Sequence, residues 1–310
     1  RSKFNSLVTS IQETEKFLPL GFQERKTKFL KIFLKDPAQI PTVRDALLKE
    51  GFGEIFEADI LFKYRFMADK NLFGMRWYVA TGTTVQTNTV DVDLCISADE
   101  ISEAEEEKTE LRVMSIDIEI FNSEGVPNSK VDTIAIISLS FHPQFQNHST
   151  LLLVAKPVAP ETDVMSFHDE KAMLEKFYEI LHKFDPDILV GYNINNFDLP
   201  FLLDRLSENK IPRTLGRCQI KAASSRKIGT HFRNSVPGRV VVDVYELVKE
   251  MQFKTQLAEK GFEKIKRYGL ADVVKQLLGE QEATEEWVRL KGTHTELSKI
   301  WNGKNGELRT

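Results

Sequence analysis

Residues 112–120 read RVMSIDIEI, a strand-like run in which two acids, Asp117 and Glu119, stand one residue apart. Successive side chains of a strand point to opposite faces, so both acids lie on the face of Ser115 while the isoleucines lie on the other. Carboxylates about 6 to 7 Å apart at Cα raise each other's pKa, and a divalent cation such as Mg²⁺ or Mn²⁺ removes the repulsion. The stretch favours a metal site; the alternative is an acid that caps a turn or pairs with a Lys or Arg on an edge strand.

The sequence that follows this strand predicts a mixed α/β fold. Apolar residues recur at helical spacing between Met173 and Phe184, and short runs rich in β-formers lie on either side. The predicted elements are strands at 111–119, 131–141 and 150–156, a helix at 169–184, a strand at 187–192 and a helix from Asp198 to Asn209. Strands in a meander, followed by helix, strand and helix, indicate a mixed sheet flanked by helices.

The residues before this block predict a smaller α+β domain. Its predicted elements are a strand at 28–37, helices at 40–53 and 57–74, and strands at 76–82 and 88–96. An acidic run at 97–110 has too few apolar residues to pack and is interpreted as a linker, with the boundary near Lys108. Toward the end of the chain, a hairpin leading into a strand is predicted at 226–248, helices between Met251 and Leu278, and a last helix at 296–301.

Composition and charge narrow the classes of function. No apolar run approaches the roughly 18 to 20 residues that cross a bilayer, and Cys95 and Cys218 lack zinc-like spacing. We expect an intracellular protein with reduced cysteines and no membrane partner. The net charge is −4, yet the stretch from Arg205 to Arg239 contains nine Lys or Arg and one acid. That stretch favours contact with a polyanion; the alternative is a solvated basic surface.

A second polar element follows the strand predicted at 187–192. The run LVGYNINNFDLPFLLDRL, residues 189–206, places a polar loop between that strand and a helix that begins at Asp198. Asp198 fits the N-cap of the helix, but the end of a strand in an open sheet is also where a carboxylate is offered to a ligand site. Both interpretations stay open on the residues alone.

The two elements together resemble known motifs. DIE at 117–119 is similar to the first exonuclease motif, and YNINNFD at 192–198 to the second, of family B DNA polymerases, whose proofreading domains have a ribonuclease-H-like fold. FEADILFKYRFMADKNLFG (56–74) and YGLADVVKQLLGE (268–280) resemble flanking stretches of archaeal and eukaryotic members. The resemblance implies a polymerase N-terminal domain at 1–108 and a 3′→5′ exonuclease domain at 109–310.

The resemblance also implies site residues and partners. Asp117, Glu119 and Asp198 would be catalytic and hold two Mg²⁺ or Mn²⁺ ions for hydrolysis of the 3′-terminal phosphodiester. Further residues would contact DNA: Phe121, Tyr192, Asn193 and Phe197 along the single strand, and Arg226, Lys227 and Arg233 at phosphates near the primer–template junction. Packing in the core or the loop is the alternative for the first four. The expected partners are DNA with a single-stranded 3′ end and a sliding clamp contacted outside this chain. The expected location is the cytoplasm or nucleoid of an archaeon, or the nucleus of a eukaryote.

The chain departs from the family pattern at the third motif, Tyr-x-x-x-Asp. Tyr268 and Asp272 match it literally, and their spacing would put them on one helical face. The surrounding sequence resembles an earlier segment of the family, so we interpret this pair as structural and expect the true motif beyond Thr310. A chain that starts at Arg1 and lacks palm, fingers and thumb is expected to be a fragment, weakly active or inactive alone. Asp91 and Asp93 are interpreted as an exposed strand face.

Two other functions remain open on the sequence. A freestanding DEDD-type nuclease would share the motifs, although the N-terminal block disfavours it. A non-catalytic nucleic-acid-binding scaffold would keep the fold, and Mn²⁺ binding that depends on Asp117 would exclude it.

Overall fold

The structure, a computed structural model, describes residues 6–18, 21–105, 109–121 and 125–279. The described residues divide into two compact units, one drawn from 1–83 with 98–107 and the other from 84–97 with 108–310. The predicted boundary residue, Lys108, and the helix predicted at 296–301 lie outside the described residues. The division into domains at 1–108 and 109–310 therefore stays a prediction.

The first unit combines short sheets with two helices. Its elements are β1 (Val8–Lys16), β2 (Thr27–Leu34), one 3₁₀ turn (Pro37–Gln39), α1 (Ile40–Lys49), α2 (Phe62–Lys70), β3 (Tyr78–Thr84) and β4 (Ile96–Glu103). β1 pairs with β2 in antiparallel register, and β3 pairs with β4. The sequence did not predict β1, because its polar residues alternate with few apolar ones and most of the strand is exposed.

Two predictions near the acidic run are wrong. The linker interpretation fails over 98–103, where the acids belong to β4, a strand stabilised by backbone pairing with β3 and exposed on both faces. The strand predicted at 88–96 does not form, because Val90 makes only an isolated bridge to Cys218 and the Asp91 N–H donates to the Arg217 carbonyl at 2.7 Å. Asp91 and Asp93 are exposed as expected, but they lie in a loop.

The second unit is built on one mixed sheet. Its elements are β5 (Val113–Ile120), β6 (Ile134–Phe145), β7 (His148–Val154), β8 (Val164–Ser166), α3 (Glu170–Phe184), β9 (Ile188–Gly191), α4 (Asp198–Glu208), β10 (Ser224–Ile228), β11 (His231–Ser235), β12 (Val240–Asp243), α5 (Val244–Lys249), α6 (Met251–Glu259) and α7 (Leu270–Leu278). The strand order is β12-β9-β5-β6-β7-β8. β6 runs antiparallel to its neighbours β5 and β7, whereas β12, β9 and β5 are parallel. The predicted mixed sheet with helices is confirmed.

Local sequence explains why α3 and α4 form and pack. The Asp169 side chain accepts a hydrogen bond from the Ala172 N–H at 2.8 Å and caps α3, whose apolar residues at helical spacing are buried in the core with those of β5 to β7. A buried ion pair joins the two helices: the Arg205 guanidinium on α4 donates to both carboxylate oxygens of Glu170 on α3, at 2.9 and 2.6 Å. These contacts fix α4, and with it Asp198, against the sheet. Among the described residues, no helix is long and apolar enough to cross a membrane.

Candidate carboxylate site

The strand that carries the first two acids has one buried and one exposed face. Ile116, Ile118 and Ile120 are buried, while Asp117 and Glu119 are exposed on the opposite face. The alternation inferred from RVMSIDIEI is confirmed, and it places two carboxylates side by side at the surface of a central strand of the sheet.

The neighbouring strand ends early and opens the edge of β5. β9 pairs with β5 only at 113–115 and stops at Gly191. A Cβ at Gly191 would lie 2.7 Å from the Ile194 side chain and 2.9 Å from the Ile116 carbonyl oxygen, so only glycine allows this close turn. The chain then leaves the sheet through the loop at 192–197 and returns at Asp198.

Asp198 lies beside β5 at the point where β9 has already ended. It is the first residue of α4, is 3% exposed, and its Oδ1 accepts a hydrogen bond from the Ile118 N–H at 3.0 Å. The N-cap position belongs to Phe197, and no side chain caps the helix. The alternative that Asp198 is the N-cap is therefore wrong, because its carboxyl group points to the backbone between Asp117 and Glu119.

The electrostatics of this arrangement are unfavourable without a counter-charge. Burial and the nearby charge of Asp117 raise the pKa of Asp198 to about 7, although the Ile118 N–H opposes the rise. Partial desolvation also raises the pKa of Asp117. A buried carboxyl group that resists ionisation beside a second carboxyl group is what a bound cation stabilises.

The carboxylate donors fit a hard divalent ion, but the described residues do not form a complete set of metal ligands. Asp117 and Asp198 interact electrostatically, and Glu119 lies on the same strand face as Asp117. Carboxylate oxygens are the ligands that Mg²⁺ and Mn²⁺ prefer. Within the described ranges, however, no group of three or more His, Cys, Asp or Glu residues is close enough to hold a metal. The roles of Asp117, Glu119 and Asp198 as ligands therefore stay predictions.

A second buried carboxylate near the site, Asp243, was missed by sequence reasoning. It ends β12, is 5% exposed, and accepts hydrogen bonds from the backbone N–H groups of Asn193 at 2.9 Å and Asn195 at 3.0 Å. Its charge adds to the rise in the pKa of Asp198. An apolar run that ends in Asp, VVVD at 240–243, is the signal that could have found it, because ligand sites lie outside the carboxyl ends of parallel strands.

The aromatic residues near the site make packing contacts. The Tyr192 hydroxyl donates to the Tyr268 carbonyl oxygen at 2.5 Å, and its ring meets Tyr245 edge-on with centroids 5.5 Å apart. Phe197 is half-buried against the core and lies 6.1 Å from the ring of Phe201. Phe121, directly after β5, and Asn193 are also half-buried. Their contact with a single strand stays a prediction beside these packing roles.

The predicted hairpin forms and is attached to the loop before Asp198. Arg226 lies opposite Arg233, and Lys227 lies opposite Phe232, with the three basic side chains exposed. The Phe232 N–H donates to Asn196 Oδ1 at 3.1 Å. A cavity of about 400 Å³ separates the hairpin from α5 and is lined by residues that include Asn195, Arg233, Asn234 and Glu246.

Part of the basic stretch is used inside the fold. Arg217 and Arg239 both donate to the Asp185 carboxylate, at 2.7 to 3.0 Å, and Arg205 pairs with Glu170. Burial raises the pKa of Asp185, but the hydrogen bonds from the two arginines outweigh it and hold the value at about 2. These three arginines are committed to internal ion pairs, so the exposed hairpin is the better candidate for binding phosphates.

Tyr268 and Asp272, the literal match to the third motif, do not lie on one helical face. α7 begins at Leu270, so Tyr268 precedes the helix, whereas Asp272 is exposed in its first turn. Tyr268 is half-buried against a small core of Val248, Ile265 and Val273. The helical arrangement that the spacing allowed is therefore absent from this pair.

Comparison with known proteins identifies the family. Residues 53–271 match the family described as DNA polymerase family B, exonuclease domain. The chain belongs to the family B DNA polymerases. DNA polymerase 2 of Aeropyrum pernix is 30% identical over 296 residues, which cover 92% of this chain and 33% of the relative. The DNA polymerase delta catalytic subunit of Oryza sativa is 28% identical over 97% of this chain and 29% of its own length.

A solved family B polymerase has the same fold. The enzyme of Pyrobaculum calidifontis superposes with a TM-score of 0.69 at 24% sequence identity, covering 96% of this chain and 34% of that protein. This agreement supports the ribonuclease-H-like interpretation of the six-stranded sheet. The chain spans about a third of the length of these family B relatives.

Proposed function

We propose that this chain is the part of a DNA-directed DNA polymerase that removes nucleotides from the 3′ end of DNA. The observation that carries the proposal is the position of Asp198, which is buried at the open edge of β5 and hydrogen-bonded between the two exposed acids of that strand. Asp198, from the second motif, is thereby close enough to Asp117, from the first, to interact with it electrostatically. Membership of the exonuclease-domain family gives the reaction class.

The proposed site residues have separate roles in the reaction. Asp117, Glu119 and Asp198 would hold two Mg²⁺ or Mn²⁺ ions. When bound, such ions neutralise the carboxylates and lower the barrier to in-line attack of water on a phosphodiester. The Ile118 N–H fixes the orientation of Asp198, and the buried isoleucines of β5 keep the strand rigid beneath the acids.

The DNA would reach the acids past the hairpin. The exposed Arg226, Lys227 and Arg233 supply positive charge beside the loop that leads to Asp198. The cavity next to Asn195 has room for part of a nucleotide. Stacking of bases on Phe121, Tyr192 and Phe197 belongs to the same proposal. The primer–template and sliding-clamp partners, and the location expected from the resemblance, are further parts of this proposal.

The test is hydrolysis of a 5′-labelled single-stranded oligonucleotide with Mg²⁺, measured for this chain and for the longer polypeptide that continues past Thr310. We expect shortening from the 3′ end that is weak for this chain and strong for the longer one. Asp117→Ala should reduce the rate at least about a hundredfold, and Asp93→Ala, an exposed acid in a loop, should not. A longer polypeptide that leaves the oligonucleotide intact would contradict the proposal.

A further inference from the structure

The buried carboxylate of Asp243 does more than cap a helix. Its Oδ1 accepts hydrogen bonds from the N–H groups of Tyr245 at 3.0 Å and Glu246 at 3.4 Å, which is the usual cap of α5. The same carboxylate also accepts from the N–H groups of Asn193 at 2.9 Å and Asn195 at 3.0 Å, and these belong to the loop at 192–197. A helix cap alone does not require the second pair of bonds.

The loop that these bonds hold has an unfavourable local conformation. Asn193 has a φ of +64°, in the left-handed region that residues other than glycine rarely adopt. Such a backbone persists only where surrounding contacts determine it. Two contacts come from β11, where Asn234 Nδ2 donates to the Asn195 carbonyl at 2.8 Å and the Phe232 N–H donates to Asn196 Oδ1 at 3.1 Å. On the buried side of the loop, the contacts come from Asp243.

The position of Asp198 depends on the end of this loop. Two residues separate Asn195 from Asp198, and the Asp198 carboxyl group then accepts the hydrogen bond from Ile118. We propose that Asp243 is a positioning residue, whose two carboxylate oxygens hold Asn193 and Asn195 so that Asp198 lies against β5. The part of this inference that concerns metal binding rests on the proposed function. The part that concerns the position of Asp198 does not.

A serine at this position separates the two roles of Asp243. Serine caps helices about as well as aspartate, so Asp243→Ser should keep the hydrogen bonds to α5. One short hydroxyl group cannot also accept from two loop amides that now meet two different carboxylate oxygens. Asp169, which caps α3 through the Ala172 N–H, provides the matched control in Asp169→Ser.

The first measurement is amide hydrogen exchange by NMR on the metal-free chain. In the wild type, the amides of Asn193 and Asn195 should be protected; if they exchange freely, the proposal is overturned without any variant. Asp243→Ser should raise the exchange rate of the Ile118 amide about tenfold, the effect expected from weakening one hydrogen bond. Asp169→Ser should leave that amide unchanged. An Ile118 amide that exchanges equally in wild type and Asp243→Ser would show that Asp243 is only the cap of α5.

The second measurement is calorimetric binding of Mn²⁺ to the same variants. We expect Asp243→Ser to weaken binding by about tenfold, because Asp198 is less often in place, and Asp169→Ser to bind like the wild type. Equal affinity in wild type and Asp243→Ser would overturn the positioning role in metal binding. A wild-type chain that binds no Mn²⁺ would instead contradict the proposed function, while the exchange rate of Ile118 would still decide whether Asp243 positions Asp198.

Discussion

Replacing Asp198 by asparagine should stabilise the second unit at neutral and alkaline pH. The pKa of Asp198 is raised from 3.8 to about 7 by burial and by Asp117, so its charged form destabilises the fold. Because the folded value exceeds the unfolded one, the stabilisation from this group is complete below a pH of about 4 and is lost as the pH rises through about 7. The full difference corresponds to about 4 kcal/mol of unfolding free energy.

The asparagine variant isolates this effect from the hydrogen bond. Its side-chain oxygen can still accept from the Ile118 N–H, but it carries no charge at any pH. Between pH 5 and pH 8 the wild type should lose about 3 kcal/mol relative to Asp198→Asn. Asp204→Asn, an exposed acid on the same helix, should follow the wild type.

The assay is hydrogen exchange of the buried β5 amides in chelator-treated buffer, since these amides report the unfolding free energy of the second unit separately from the first. If wild type and Asp198→Asn show parallel pH profiles, the carboxyl group is not destabilised by burial and by its neighbour, and the electrostatic argument for a cation at this position fails.

Two further perturbations test the frame of the site and the path of the DNA. Arg205→Met should lower the unfolding free energy of the second unit by about 3 to 5 kcal/mol, because it leaves the Glu170 carboxylate buried without its arginine. Lys183→Met, at an exposed ion pair, should change the unfolding free energy by less than about 1 kcal/mol. Equal losses for the two variants in urea denaturation would show that the buried pair does not hold α4. Arg226→Gln combined with Lys227→Gln should weaken binding of a single-stranded oligonucleotide and reduce the slope of log K against log salt by about 0.7 for each phosphate contact removed; an unchanged slope in fluorescence anisotropy would place the strand elsewhere.

The sequence predicted the strands and helices whose side chains are buried on one face, because that burial determines both the residue pattern and the element. In β5 and α3 the apolar residues repeat with the period of the element, because the core buries one face of each. β1 and β4 were not predicted, because backbone pairing alone forms them and both are largely exposed. Since neither strand buries one face, apolar and polar residues need not alternate along it.

The candidate site was predictable in part. The shared face of Asp117 and Glu119 follows from the alternation along β5. Asp198 was singled out only by the resemblance of YNINNFD to the second motif, because its place at the start of a helix also allowed an N-cap. The hydrogen bond that brings Asp198 to Ile118, 80 residues away in sequence, depends on where β9 stops and cannot be derived from either motif alone. Asp243 was missed for the same reason, because its partners Asn193 and Asn195 are distant in sequence and are bound through their backbone N–H groups.

Asp117 and Asp198 interact electrostatically, and we propose that bound divalent cations stabilise them in this arrangement. The most direct measurement is a calorimetric titration of the wild-type chain and of Asp117→Ala with Mn²⁺ at a pH above 7, where the Asp198 carboxyl group is mostly ionised. We expect heat of binding for the wild type and none for Asp117→Ala. Binding of equal strength in both proteins, or no binding in either, would contradict it.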